Sequence, residues 1–167
     1  MRIRAEQDED SDAVRAVNTS AFDTPVEAGL VDTLRKQAHP VVSLVAEEGG
    51  TIVGHAVFSP VILHGRADLL LMGLAPMAVV PHNQRRGVGS ALVRAGLEQC
   101  RRLGCGAVVV LGHPEYYPRF GFVPAASFGL ECEYDAPQEA FMALELCPCY
   151  LRAARGRISY HAAFAAL

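Results

Sequence analysis

Apolar residues alternate with polar ones in some stretches of this chain and recur every three or four positions in others, so strand and helix signals succeed one another. Arg2–Ala5 alternates as a short first strand. Asp8 is placed to cap a helix carrying Val14, Val17, Ala21 and Phe22 on one face. Thr24-Pro25-Val26-Glu27 has the form of a capping box with proline at the first helical position, and opens a second helix with Leu30, Val31 and Leu34. Residues 41–47 and 51–61 predict a hairpin around Gly49-Gly50. A polar turn at residues 64–68 leads into a long apolar strand over residues 69–79. A helix over residues 86–103, a turn at Gly104 and Gly106 and a strand at Ala107–Leu111 make a β-α-β crossover. Short strands at Leu130–Cys132 and residues 141–146 end the series. The pattern predicts one domain over residues 1–167, an α/β fold with a mixed, mostly antiparallel twisted sheet and helices on both faces.

Pro76 interrupts the long strand, where it cannot donate a ladder hydrogen bond. The strand is therefore either an edge strand or one that bulges and splays from a neighbour.

Composition narrows the function classes. A hydrophobic content of 51% with 20% charged residues describes a compact chain that can bury a core. A net charge of −3 argues against a dedicated nucleic-acid binder. The longest apolar run, residues 69–81, contains Gly73 and Pro76 and is too short to cross a bilayer, so no membrane role is expected. Glu6, Asp8, Glu9 and Asp10 stand where a targeting segment would be apolar, which predicts a cytoplasmic protein. The five cysteines lack regular spacing, and Cys147-Pro148-Cys149 is too tight for a zinc knuckle. Reduced thiols are expected, with no metal and no disulfide framework, and no role is read for Cys147 and Cys149.

Candidate chemistry concentrates at the end of the long strand. Ala78, Val79 and Val80 run through Pro81-His82-Asn83 into Gln84-Arg85-Arg86-Gly87-Val88-Gly89-Ser90 and then the helix. Glycines at 87 and 89 allow a tight turn and leave backbone N–H groups uncovered where a helix begins, with its dipole and two arginines behind them. This is the pattern of a phosphate site. A dinucleotide fingerprint fails because Leu92 stands where its third glycine would be, and a P-loop fails because the only lysine is Lys36.

The Gln84-x-x-Gly87-x-Gly89 pattern resembles the pyrophosphate arm of the GNAT superfamily of acyl-CoA-dependent N-acyltransferases. Tyr116-Tyr117-Pro118-Arg119-Phe120-Gly121-Phe122 resembles the Y-x-x-x-G-F segment that follows the fifth strand in that family. Glu27, the strand around Gly54 to Pro60, Phe141 to Leu146 and Tyr160 with Phe164 extend the likeness, to a bacterial branch of predicted N-acetyltransferases, over essentially the whole chain. The resemblance implies splayed fourth and fifth strands, with Pro76 at the gap that receives the pantetheine arm. It implies acetyl-CoA as cosubstrate, a primary amine on a small molecule or protein as acceptor, and direct attack on the thioester. Cofactor contacts would come from Met77, Ala78, Val79, Gln84, Arg85, Arg86, Gly87, Val88, Gly89 and Ser90, with backbone N–H groups near Met77, Ala78 and Val79 as oxyanion donors.

Tyr117 matches the position that protonates the leaving thiolate, while Tyr116 is expected to pack. The fourth strand lacks the carboxylate that some members use as base, which leaves His113, Glu27 or water for that task. Glu131, Glu133, Asp135 and Glu139 could attract a cationic acceptor or form a solvated loop. A GNAT-fold module that binds acyl-CoA without turnover is the alternative, and a homodimer stays open.

Overall fold

The computed structural model describes residues 1–167. The chain forms β1 (Arg2–Ala5), α1 (Ser11–Phe22), α2 (Val26–Gln37), β2 (Val42–Glu48), β3 (Thr51–Leu63), β4 (Leu71–Val79), α3 (Val88–Arg102) and β5 (Ala107–Leu111). The remaining strands are β6 (Val123–Pro124), β7 (Leu130–Cys132), β8 (Phe141–Glu145) and β9 (Gly156–Ser159). Strand order in the main sheet is β1-β2-β3-β4-β5-β8-β6, and β9 joins the far end of β3 to β7. Only β4–β5 and β7–β9 run parallel, so the mixed, mostly antiparallel expectation holds. The parallel β4–β5 pair follows from the α3 crossover between them.

Alternation along the central strands divides the core between the two faces. Leu44, Ala46, Ala56 and Phe58 turn towards Val88, Leu92, Val93 and Leu97 of α3. Val45 and Val57 turn the other way, against Val14 of α1 and Leu30, Val31 and Leu34 of α2. On the α3 side the approach is close enough that a Cβ on Gly96 would lie 2.0 Å from Phe58 Cε1. A glycine is needed there for the helix to reach the sheet.

Helix starts differ from the sequence reading in physically clear ways. Asp8 does not cap α1; it opens a 3-10 turn, Asp8–Asp10, and the buried Asp10 before α1 turns its side chain back onto that turn instead of capping the helix. The Asp10 carboxylate accepts the Gln7 N–H at 2.7 Å and is clasped by both terminal nitrogens of Arg4. Phe22 is exposed rather than on the buried face, because left-handed Asp23 (φ 57°) turns the chain away at the helix end. At α2 the capping box does not form: the helix starts at Val26 with Pro25 before it, and Thr24 Oγ1 accepts the Val26 N–H in a local turn instead. The third helix starts at Val88, since Arg85 (φ 62°) and Gly87 (φ 87°) are both left-handed and hold Arg86 in the loop. β9 was not expected. It is four residues long with Arg157 exposed, too short and polar for period-two alternation to stand out.

Pro76 produces the irregularity its chemistry requires. Opposite Val57, β4 carries both Ala75 and Pro76, so the register with β3 slips between Ala56 and Phe58. Pairing of β4 with β5 covers only Leu71 to Leu74 against Ala107 to Val110. Beyond Leu74 the two strands part, and the β5-facing edge of residues 75–79 is left without a strand partner.

Candidate active site

The residues of the glycine-spaced loop form one wall of a groove. Val79 ends β4, residues 81–83 make a 3-10 turn, and the left-handed Arg85 and Gly87 swing the chain into α3. No side chain caps this helix. The first helical bond is Ala91 N–H to Gly87 O, so the N–H groups of Val88, Gly89 and Ser90 are left for an anion. Nothing lies within 4 Å of a Cβ placed on Gly87, and one on Gly89 would meet the Tyr116 hydroxyl at 3.3 Å and Met77 Cε at 3.5 Å. Both glycines therefore keep open the space in front of the amides.

The other wall is the unpaired edge of β4. Val80 N–H bonds Val53 O on β3 at 2.9 Å. Antiparallel alternation then turns Ala78 towards β3 as well and points the N–H groups of Met77 and Val79 into the gap. Ala78 thus differs from its neighbours: its N–H serves the sheet. Gln84 Nε2 donates to the outward Val79 carbonyl at 2.9 Å, tying the loop to the strand edge. Together these walls enclose about 510 Å³ lined by Met77, Val79, Asn83, Gln84, Arg85, Gly87, Gly89, Ser90, Tyr116 and Arg119.

Of the expected contacts, Arg86 is exposed outside this lining, and the Val88 side chain is buried in the α3 core, leaving only its backbone available. Asn83, Tyr116 and Arg119 join the groove without having been singled out as ligand contacts. Asn83 offered a signal, as a polar residue in the turn directly before the glycines. Tyr116 and Arg119 did not, because the return of residues 116–120 to α3 is a tertiary event.

The two tyrosines occupy different places. Tyr117 is 8% exposed, edge-on to Tyr116 and Phe122, and its ring lies so close to Gly112 that a Cβ there would be 2.5 Å from Cε2. Burial, and then the neighbouring Tyr116, push its pKa up to about 12. Its hydroxyl has no partner within the chain but is not sealed off like Glu27 Oε2 and the Tyr160 hydroxyl. Tyr116 packs its ring against Tyr117 and Phe120, as expected, and also places its hydroxyl in the groove, 2.9 Å from Ser90 Oγ. Arg119 stacks over the Tyr116 ring at 4.3 Å and donates from Nε to the Tyr116 carbonyl at 2.8 Å. His113 is exposed just past β5 and lies outside the groove lining.

Residues 2–125 match the family model described as the acetyltransferase (GNAT) domain. The chain belongs to the GNAT acetyltransferase family. As a member it is a transferase of the acyltransferase class. Among relatives, the uncharacterized N-acetyltransferase YhbS of Escherichia coli (strain K12) is 36% identical over 165 residues, 98% of both chains. The uncharacterized N-acetyltransferase YjhQ of the same organism is 44% identical over 134 residues, 78% of this chain and 74% of that one. The crystal structure of E. coli YhbS in complex with CoA has a TM-score of 0.92 at 35% identity, covering 98% of this chain and 91% of that one. A GNAT acetyltransferase from Brucella melitensis in complex with acetyl-CoA has a TM-score of 0.80 at 37% identity, covering 98% and 97%.

A larger cavity of about 680 Å³ opens over β7, where Glu131, Glu133, Tyr134 and Asp135 gather with Arg157. The cluster is not purely acidic. Glu133 also has a structural task, since its Oε1 accepts the Tyr160 N–H at 2.7 Å.

Proposed function

We propose that this GNAT domain transfers the acetyl group of acetyl-CoA to a primary amine by direct attack, acting in the cytoplasm on a small-molecule or protein acceptor. The observation that carries this reading is the meeting, in one groove, of an uncapped helix N-terminus with a strand edge whose N–H groups have no partner. The first suits a pyrophosphate and the second an extended chain of amides, and acetyl-CoA carries both. Complexes of the YhbS and Brucella relatives with CoA and acetyl-CoA support the same ligand here.

Each residue then has a task. The N–H groups of Val88, Gly89 and Ser90, with Arg85, hold the pyrophosphate. Met77 and Val79 hold the pantetheine amides and supply an N–H to the thioester oxygen as it gains charge. Tyr117 hydrogen-bonds the sulfur. With the phenol at about 12 and a free thiol near 8.5, full transfer of the proton is uphill by about 5 kcal/mol. Tyr117 therefore acts through C–S cleavage as a hydrogen-bond donor and yields its proton late.

A module that binds acyl-CoA without turnover is the second reading. It is favoured by one feature: no Asp, Glu or His lines the groove. Thermal melts test binding. Acetyl-CoA and CoA should both raise the melting temperature, since the groove contacts are common to the two; ligand at a hundred times its dissociation constant adds about 2.7 kcal/mol. No shift with either up to millimolar concentration sinks both readings. Thiol release with an amine panel of polyamines, aminoglycosides, amino acids and peptide N-termini separates catalysis from binding.

A further inference from the structure

The Tyr116 hydroxyl and Ser90 Oγ, 2.9 Å apart in the groove, join two elements that carry different parts of the reaction proposed above. Ser90 is the third residue of α3, and its N–H is one of those left open at the helix start. Helical side chains tilt towards the N-terminus, so Ser90 Oγ lies on the side of the uncapped amides. Tyr116 belongs to the segment after β5 and directly precedes Tyr117. Their contact is the one side-chain hydrogen bond between α3 and residues 116–122. A second polar link, Arg94 over the Phe120 ring at 5.1 Å, stands outside the groove lining.

Tyr116 is also coupled to Tyr117. Their rings meet edge to face, with centroids 5.1 Å apart and planes at 86°. Phe120 closes on the Tyr116 ring at 5.4 Å. Arg119 covers that ring at 4.3 Å and donates from Nε to the Tyr116 carbonyl at 2.8 Å. This carbonyl belongs to the peptide that joins the two tyrosines. Close-packed rings on one fixed peptide pass a displacement from one to the other.

By itself the Ser90–Tyr116 bond has no fixed direction, since either hydroxyl can donate. An anion on the amides of Val88, Gly89 and Ser90 changes that. The Ser90 O–H then turns to the negative charge while its oxygen accepts from Tyr116, and in such a chain each bond strengthens the next.

We infer that Ser90 and Tyr116 are positioning residues that tie the filled phosphate site to Tyr117, so that the protein favours acyl-CoA over a thioester without a nucleotide in kcat as well as in affinity. The inference rests on the transfer reading above and on the task given there to Tyr117. Binding at a remote, unreacting part of a substrate speeds chemistry only where it is expressed in the transition state. The pyrophosphate is such a part, and the path from Ser90 through Tyr116 to Tyr117 connects it with the sulfur. Neither Ser90 nor Tyr116 needs to touch the thioester for this.

Thiol release from acetyl-CoA and from S-acetylpantetheine, which keeps the thioester and its amides but lacks the pyrophosphate, tests this. The acceptor is the amine of the panel above that the wild-type protein uses fastest, and thermal shifts with acetyl-CoA check folding and occupancy. The wild-type kcat should be higher with acetyl-CoA. The ratio of the two kcat values should fall roughly 2- to 10-fold in Tyr116→Phe and in Ser90→Ala, the worth of one hydrogen bond. Ser90→Thr, which retains the hydroxyl, should keep most of the ratio. In acetyl-CoA kcat, the double variant should lose no more than either single one. A merely structural role would slow both donors alike. A wild-type ratio in both single variants, or additive losses in the double one, would overturn the inference and leave the transfer reading intact. Ser90→Ala decides if Tyr116→Phe does not fold, and the acetyl-CoA comparison decides if S-acetylpantetheine gives no turnover. A wild-type protein that binds acetyl-CoA yet releases no thiol removes both.

Discussion

At the residue scale, Tyr116 and Tyr117 show how adjacent aromatics divide between wall and core. Tyr117 is nearly buried between Gly112 and Phe122, whereas Tyr116 reaches into the groove at Ser90. Tyr117→Phe keeps the ring and should leave acetyl-CoA affinity nearly unchanged while turnover falls by roughly 10²–10⁴, mainly in kcat. Full kcat in that variant would move the proton to Tyr116 or water. Gly89→Asp tests the phosphate site. The new carboxylate would stand beside the Tyr116 hydroxyl and in front of the free amides, opposing an anion. The variant should melt as a folded protein and show no CoA-induced shift. A normal shift would place the pyrophosphate elsewhere. The Q-x-x-G-x-G spacing was enough to find this loop, but it could not tell Arg85 in the groove lining from Arg86 outside it.

At the element scale, two helical glycines look alike in sequence and differ in surroundings. A Cβ on Gly96 of α3 would meet Phe58 Cε1 at 2.0 Å and Cζ at 2.4 Å, while one on Gly29 of α2 would meet nothing within 4 Å. Gly29→Ala should stabilise the protein by about 0.5–1 kcal/mol through helix propensity, raising the melting temperature by a few degrees. Gly96→Ala gains the same propensity but forces Phe58 out of place, an overpacking cost of about 1–3 kcal/mol, so its melting temperature should fall. Equal shifts in the two variants would mean that α3 moves off the sheet freely. The β4 bulge belongs to this scale too. Pro76 announced an irregularity, but whether it made an edge or a gap depended on where β5 stopped pairing, which is at Leu74.

Across the whole molecule, a polar chain ties β1, α1, α2, β2 and β3 together behind the sheet. Asn18 Nδ2 lies 3.1 Å from His55 Nδ1, and His55 Nε2 lies 2.8 Å from Ser43 Oγ. With Nδ1 accepting from Asn18, Nε2–H donates to Ser43, whose hydroxyl donates to Glu6, and Arg35 closes the chain on the same carboxylate. Burial alone would raise the Glu6 pKa, but hydrogen bonds from His55 and Ser43 and the charge of Arg35 outweigh it and leave the group below its ordinary 4.5. The Arg4 guanidinium lowers Asp10 likewise, below its ordinary 3.8. A folded-state pKa below the unfolded one contributes stability above the unfolded value and loses it as pH falls through the folded one. The melting temperature should therefore drop as pH is lowered below about 4.5, and Glu6→Gln should make that drop shallower while lowering stability near neutral pH. An unchanged acid profile in Glu6→Gln would mean that the network does not distinguish the folded carboxylate from the unfolded one.

Periodicity and local chemistry by themselves determined much of this protein. Alternation in β2 and β3, the stripe of α3 and the glycine-spaced loop are set by residues within a few positions of one another, and they placed the fold class and the open glycine turn before α3. The family likeness added the order of the strands around the gap. Tertiary structure alone decided what depends on long-range contact. The turn of Ala78 towards β3 follows from its register with His55, and Asp10 rather than Asp8 is held because Arg4 of β1 reaches it. β9 gains its place only by pairing with β3 and β7, since its four residues carry too little pattern of their own. Tyr160 and Leu30 stand 130 positions apart in sequence (160 − 30) and meet in one apolar cluster, whose burial no local pattern encodes.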